Sequence, residues 1–516
     1  MSETTVSQTG VGDTGESQSG ASQSGASQIG GSKNEGGKLA GGGKLTGGVG
    51  GTHDPGAKPA APPRTMSELR QQAIDAHQNG DLDRALGLYR MFLANRPEDA
   101  AIWSNLGALH RKKKAFPAAV ACQRRAVELS PDSSDFLNNL GNALYDNGDL
   151  AESLVTRQRV LQLRPGQPEP LQYVATALRG LNRHAEAVAV CNEGLTLDPT
   201  HNELRIQKAM ALLALGEYAT GFDLFEARWS GDEVSKPKLK EPEWQGEPID
   251  GKTLLVMPEQ GFGDTVLMAR LLPALKERYG ARIVLACKAP LMRLFADLDG
   301  VDILAEIGTK KPPVDSWVSM MSLPRFVPLT REQIPPPARL SVPEAAKTRA
   351  EKLLAPHRGR LKIGVLWSGS VTYRANHKRS FPMDRFYQLA AVPGVSLFSL
   401  YKGPLHEAFL GSGLASVVVD AAGSERDFAD TAALVQGLDL VVTMDSAVAH
   451  VSGSLGAPVW NLLHFSAYWL YAPWPDTSPW YPSMRLVRQP KPDDWDSVFD
   501  VVERDIRQMA AARGAG

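Results

Sequence analysis

Residues 100–133, AAIWSNLGALHRKKKAFPAAVACQRRAVELSPDS, read as two helices joined by a turn, and this unit recurs along the chain. Pro97, Pro131, Pro165 and Pro199 stand 34 residues apart, each closing one copy. Small residues fall at matched places, Gly107, Gly141, Ala175 and Ala209 in one series and Ala85, Ala119 and Ala187 in the other. A fixed period of this length marks stacked helix pairs that bury their apolar stripes against one another. Five units follow, at 66–99, 100–133, 134–167, 168–201 and 202–235. The last is degenerate: it lacks the closing proline and runs into Phe222-Asp223-Leu224-Phe225-Glu226-Ala227-Arg228-Trp229.

This unit closely resembles the tetratricopeptide repeat. The resemblance implies a concave face that holds a peptide or a protein. Asn105 and Asn139 stand one period apart on the first helices of units two and three. There an amide both donates to and accepts from an extended backbone, so the pair is the candidate acceptor-binding set. Tyr173 breaks the series and Gln207 restores an amide, while Asn at this place is also common in such repeats whatever they bind.

Composition narrows the partners. A net charge of −1 with 22% charged residues and no dense basic stretch argues against nucleic acid. Cys122, Cys191 and Cys287 lie far apart without metal-ligand spacing, as expected of small buried hydrophobes in a reducing compartment. No run reaches the roughly 18 apolar residues of a membrane span, and no basic-then-apolar leader opens the chain, so a cytoplasmic location is expected. Residues 1–65 are rich in Gly and Ser and are expected to be a disordered tail without a site.

Beyond residue 235 the periodicity changes to short apolar runs separated by helices, the pattern of a parallel sheet. Residues 253–257, 282–286, 301–304 and 317–319 form one set of predicted strands, and 362–367, 395–400, 416–419, 438–443 and 458–461 a second. The Pro-rich passage Ile334-Pro335-Pro336-Pro337 separates them. The expected architecture is an α-solenoid followed by a two-lobed α/β domain, with lobes at 236–345 and 346–516.

Two turns carry chemistry. Glu259-Gln260-Gly261-Phe262-Gly263-Asp264-Thr265 follows the first strand and opens a helix expected to run to about Lys276, with Asp264 at or beside its N-cap. Glycines permit a tight turn whose N–H groups approach a ligand, although Asp at such a place also serves as a simple cap. In the second lobe Asp445-Ser446-Ala447-Val448-Ala449-His450 follows a strand, with Ser446 as cap and His450 one helical turn on. A packed His on a capped helix is the plainer alternative. Both turns sit at carboxyl ends of strands, where open α/β sheets bind ligands.

From Trp244 to about Met509 the chain resembles glycosyltransferase-B enzymes of the heptosyltransferase type, including relatives with tetratricopeptide repeats that glycosylate proteins such as flagellin. The motifs are Trp244-Gln245-Gly246-Glu247-Pro248, the two turns above, Gly364-Val365-Leu366-Trp367-Ser368-Gly369-Ser370, Arg379-Ser380-Phe381-Pro382, Asp427 to Leu434, and Ser478-Pro479-Trp480-Tyr481-Pro482. The resemblance implies a metal-independent, inverting transferase that needs no cofactor beyond its nucleotide-sugar substrate. It makes Asp264 the general base. It assigns the donor to Gly261, Gly263, Trp367, Ser368, Gly369, Ser370, Lys378, Arg379, Lys402, Asp445, Ser446, Ala447 and His450. Ala447 stands where the family often has Gly, and Tyr401 where it often has Gln. Asp297-Leu298-Asp299 imitates a metal motif of another transferase fold but is read as a turn before Gly300. The cluster Trp469, Tyr471, Trp474, Trp480 and Tyr481 is either a sugar platform or core. The competing function is a non-catalytic scaffold with a degenerate transferase domain.

Overall fold

A computed structural model describes residues 65–231, 234–373 and 375–514, so the expected N-terminal tail lies outside the described residues. Ten helices come first: α1 (Met66–Gln78), α2 (Leu82–Asn95), α3 (Ala100–Lys112), α4 (Phe116–Leu129), α5 (Ser134–Asn147), α6 (Leu150–Leu163), α7 (Pro168–Gly180), α8 (His184–Leu197), α9 (Asn202–Leu215) and α10 (Tyr218–Phe225). Asp99 caps α3 by accepting from the Ile102 N–H at 3.0 Å, and Thr65 and Ser133 cap α1 and α5 in the same way. Gly148 and Gly216 end α5 and α9 with φ of 90° and 83°, a conformation that side chains resist. The matched small residues mark where paired helices approach. A Cβ on Gly107 would stand 2.6 Å from Gln123 Nε2, and one on Gly141 would stand 3.1 Å from Arg157 Cγ.

The first lobe contains β1 (Thr253–Met257), α11 (Phe262–Met268), α12 (Leu272–Tyr279), β2 (Arg282–Cys287), β3 (Ile303–Glu306) and β4 (Ser316–Ser319). Its sheet is parallel, in the order β3-β2-β1-β4, with Leu255 beside Val284 and Trp317. The helix after β1 does not run unbroken to Lys276: a 3-10 turn at Ala269–Leu271 divides it, and Pro273 then starts α12. Proline cannot donate to the preceding turn, so the break falls there.

The second lobe comprises α13 (Glu344–Leu354), β5 (Leu361–Val365), α14 (Asn376–Arg379), α15 (Phe386–Ala390), β6 (Val395–Ser399), α16 (His406–Leu410), β7 (Val418–Asp420), α17 (Phe428–Gly437), β8 (Leu440–Met444), α18 (Ala447–Ser454), β9 (Val459–Leu463), β10 (Thr477–Ser478), β11 (Tyr481–Arg488) and α19 (Trp495–Gly514). The sheet order is β10-β11-β9-β8-β5-β6-β7, parallel apart from the short β10–β11 pair. The fold is therefore an α-solenoid followed by two parallel α/β lobes.

A continuous apolar core runs through both lobes and into the last repeat. Phe222 packs edge-on against Trp469, and Tyr218 against both Trp469 and Trp480. The C-terminal aromatics are thus core: Trp469, Tyr471, Trp480 and Tyr481 are all buried. Facing lobes are clamped by Arg293, whose guanidinium donates to Asp427 at 2.9 Å and to Asp430 at 3.2 Å. Burial pushes the Asp430 carboxyl up, but hydrogen bonds from Arg426, Arg349 and Arg293 outweigh it and hold the group well below the usual range.

Candidate functional site

In the first lobe, β1 delivers Glu259 and the turn that begins at Gln260. Gln260 has a φ of 60°, sparsely populated by residues with a side chain, and its carbonyl accepts from Lys288 Nζ at 2.9 Å. Asp264 is the third residue of α11 rather than its cap. Its Oδ2 accepts from the Gly261 N–H at 3.0 Å, which fixes the carboxylate at the mouth of the turn.

In the second lobe, β8 ends at Met444 and Ser446 caps α18, accepting from the Ala449 N–H at 3.2 Å. Thr443 shares a 3.0 Å hydrogen bond with Ser446, so strand and cap are tied together. His450 lies one turn on, its Nδ1 3.0 Å from Tyr481 Oη.

The two turns face each other at close range. A Cβ on Gly263 would stand 2.7 Å from His450 Cδ2 and 3.5 Å from Ala447 Cα, so glycine is required for the lobes to meet here. Arg379 lies 3.8 Å from Asp445, and Asp445 lies 4.0 Å from His450 Nε2. Burial, with Asp445 adding to it and the Gly261 N–H and Arg379 opposing, raises the Asp264 carboxyl to about 6. Burial likewise raises Asp445 against the pull of Arg379. Burial drives His450 down to about 3, helped by Arg270 and Arg379, so its ring is neutral near pH 7. One cation therefore faces two carboxylates, one of them poised to exchange a proton near neutrality.

Other candidates lie elsewhere. Trp367 is buried and stacks on Tyr401 with ring centres 4.8 Å apart, so it is packing rather than an open platform. The loop behind it is organised by Asn376, whose Nδ2 donates to Ser368 Oγ at 3.0 Å and whose Oδ1 accepts from the Gly369 N–H at 3.2 Å. Ser370 Oγ shares a 2.7 Å bond with Thr372 Oγ1. Lys402 donates to the Glu425 carbonyl, beside a Glu425 carboxyl that burial pushes up to about 7. Lys378 turns away from the cleft, with Nζ 3.1 Å from the Tyr145 carbonyl oxygen and 3.9 Å above the Tyr145 ring. Asn139 donates to Ser104 Oγ at 3.0 Å and Gln207 accepts from Arg179 at 2.6 Å, so these two amide positions already have partners within the array; Asn105 is half-buried. Asp297 accepts from Ser341 at 2.8 Å, and no group of three or more His, Cys, Asp or Glu among the described residues is placed to hold a metal ion.

Three contributors, Arg228, Arg270 and Asn376, escape sequence reasoning, and Tyr481, read there as platform or core, takes a further part. Arg228, after the last repeat helix, grips Glu259 through Nε at 2.8 Å and Nη2 at 2.9 Å, both side chains almost fully buried. Tyr481 partners His450, and Arg270 lies 4.7 Å from the centre of the Tyr481 ring. Asn376 has no sequence signal at all. Arg228 had one, an arginine in an otherwise apolar run that has to find a partner once buried.

The helical array carries tetratricopeptide repeats where the family model matches, and the domain behind it consists of two parallel α/β lobes. The tetratricopeptide repeat family model matches residues 70–134 and 116–168. Protein FlbA of Caulobacter vibrioides is 26% identical over 445 residues, spanning 81% of this chain and 74% of that protein. Among solved structures, the glycosyl transferase family 9 protein from Veillonella parvula shares 13% identity over 50% of this chain and 91% of its own, with a TM-score of 0.37. YrrB, described as a TPR protein with an unusual peptide-binding site, shares 16% identity over 32% of this chain and 86% of its own, with a TM-score of 0.28. No helix among the described residues is long and apolar enough to cross a membrane.

Proposed function

We propose that the protein is a glycosyltransferase that moves a sugar from a nucleotide-sugar donor to a hydroxyl of a protein presented by the repeats, with flagellin the first acceptor to try. The observation that carries this reading is Asp264: a carboxylate fixed by its own turn, raised to about 6, at the line where the two lobes meet. In the proposed reaction Asp264 takes the proton of the acceptor hydroxyl, and that oxygen attacks the anomeric carbon from the side opposite the leaving group. The nucleoside diphosphate departs with the bonding pair, and its charge is met by Arg379 and the N–H groups that open α18. Neutral His450 donates or accepts a hydrogen bond there rather than adding charge. A cytoplasmic location fits a nucleotide-sugar substrate and belongs to the same proposal.

Asp264→Asn tests it. Transfer should fall by about 100-fold or more while donor binding persists. In the wild type the base must be ionised, so the rate should be flat above about pH 6 and fall roughly tenfold per unit below it. Wild-type turnover by the Asn variant, measured as nucleotide released from a panel of nucleotide sugars, would leave Asp264 only its structural bond to the Gly261 N–H.

A further inference from the structure

His450 turns its two ring nitrogens to two different neighbourhoods. Nδ1 lies 3.0 Å from Tyr481 Oη, inside the second lobe. Nε2 lies 4.0 Å from Asp445 Oδ1, and a Cβ on Gly263 would stand 3.3 Å from it, so this edge of the ring faces the line where the lobes meet. The side chain is buried and its ring is neutral near pH 7, so it carries a single proton. Which nitrogen holds that proton decides whether the ring presents an N–H or a lone pair between the lobes.

The groups on either side of the ring settle the choice. Asp445, 3.8 Å from the Arg379 guanidinium, only accepts when ionised, so a lone pair on Nε2 would face it acceptor to acceptor, whereas an N–H is attracted. On the Nδ1 side Tyr481 is backed by Arg270, which is buried and pinned by three carbonyls. Arg270 Nε donates to Leu267 at 2.9 Å, and its Nη1 donates to Trp480 at 2.9 Å and to Pro335 at 3.2 Å, which ties the guanidinium to both lobes and to the passage between them. The guanidinium carbon sits 4.7 Å from the centre of the Tyr481 ring, and Nη2 is buried without a hydrogen-bond partner. Burial raises the Tyr481 hydroxyl, and the Arg270 cation opposes it. A cation held this close favours negative charge on the Tyr481 oxygen and so strengthens its O–H as a donor, for which Nδ1 is the acceptor.

We infer that Tyr481 is a positioning residue: its O–H donates to His450 Nδ1 and holds the imidazole in the tautomer whose Nε2–H points between the lobes, with Arg270 fixing Tyr481 in turn. A neutral N–H at this place complements an oxygen that only accepts, such as the leaving diphosphate oxygen of a nucleotide-sugar, and it does so without setting a further cation beside Asp264. The tautomer stands on the residues of the chain alone, and its use in catalysis rests on the transferase reading.

The test is an NMR spectrum of the full chain, isotopically labelled at the histidine ring nitrogens, in which couplings to the ring C–H protons separate a protonated nitrogen from a bare one. His450 is the ring whose signals vanish in His450→Gln. Near pH 7 its Nδ1 should be bare and its Nε2 protonated; the reverse assignment, or an even mixture, would overturn the inference. Tyr481→Phe keeps the aromatic ring and removes the hydroxyl, so the Nδ1 signal should move, and an unmoved signal would also overturn it. Should that variant fail to fold, the wild-type spectrum decides the tautomer by itself. With nucleotide release as the readout, Tyr481→Phe should lower kcat about 10-fold while the KM for the donor holds, a split that general loosening of the cleft does not give. His450→Gln, whose amide still offers an N–H, should keep more turnover than His450→Ala, and equal losses would strike out the role given to that N–H. An Nε2–H tautomer in a chain that releases nucleotide from no donor would sink the transferase reading instead and leave the tautomer standing.

Discussion

The repeats touch the α/β domain through two joints that differ in how far their charges are satisfied. At the first lobe, Arg228 is enclosed by Glu259, Glu226, Ser322 and the Phe225 carbonyl, and Ser319 completes Glu259, so every charge there has its partner. The apolar core also passes through this joint, from Phe222 into Trp469. At the second lobe, Lys378 donates to the Tyr145 carbonyl, Arg179 to Gln207 Oε1 and Arg488 to the Tyr471 and Trp474 carbonyls, while Arg179 Nε and His184 Nδ1 are buried without a partner. A fully satisfied buried network fixes geometry, whereas an unsatisfied one stores affinity for something that completes it. The first joint therefore holds the turn that carries Asp264, while the second is less completely satisfied.

Breaking the first joint should give the largest effect on stability. Arg228→Ala leaves Glu259 buried and unpaired, which should cost about 3–5 kcal/mol in denaturant unfolding and lower transfer as the Gln260 turn loosens. A loss below about 1 kcal/mol would erase the contrast between the joints. A smaller effect is expected at the aromatic seam. Tyr218→Phe removes the acceptor that Trp480 Nε1 reaches at 3.2 Å, and stranding that buried donor should cost about 1–3 kcal/mol by the same measurement. The smallest belongs to the second joint. Lys378→Met gives up one hydrogen bond and a cation–π contact at a half-exposed site, so unfolding should shift by no more than about 1 kcal/mol. A larger shift would mean that the second joint is structural too.

Legibility in the sequence followed the range of the interaction. The repeat period and the Asp264 and Ser446 turns were readable because helix stacking and capping are settled within a few residues. β1 falls at the predicted residues, while the other predicted strands differ by one or two residues at one or both ends. The closing strand β11 and helix α19 were not anticipated, since the stretch before them reads as aromatic loop. Lys378 and Arg379 adjoin in sequence and look alike, yet one docks on Tyr145 and the other faces Asp445. A short helix splays neighbouring side chains to different faces, and which face meets which domain is not a local property.

By itself the sequence determined the period of the solenoid, the two sets of strands, and the glycine turns that end them, because each depends on residues adjacent in the chain. Only the tertiary structure decided that Gly263 presses against His450 across the lobes, that Arg228 holds Glu259, and that Lys378 docks on Tyr145 while Arg379 faces Asp445. These are pairings over tens to hundreds of residues, and burial sets their strength: a charge has no partner and no shifted pKa until the fold has removed its water.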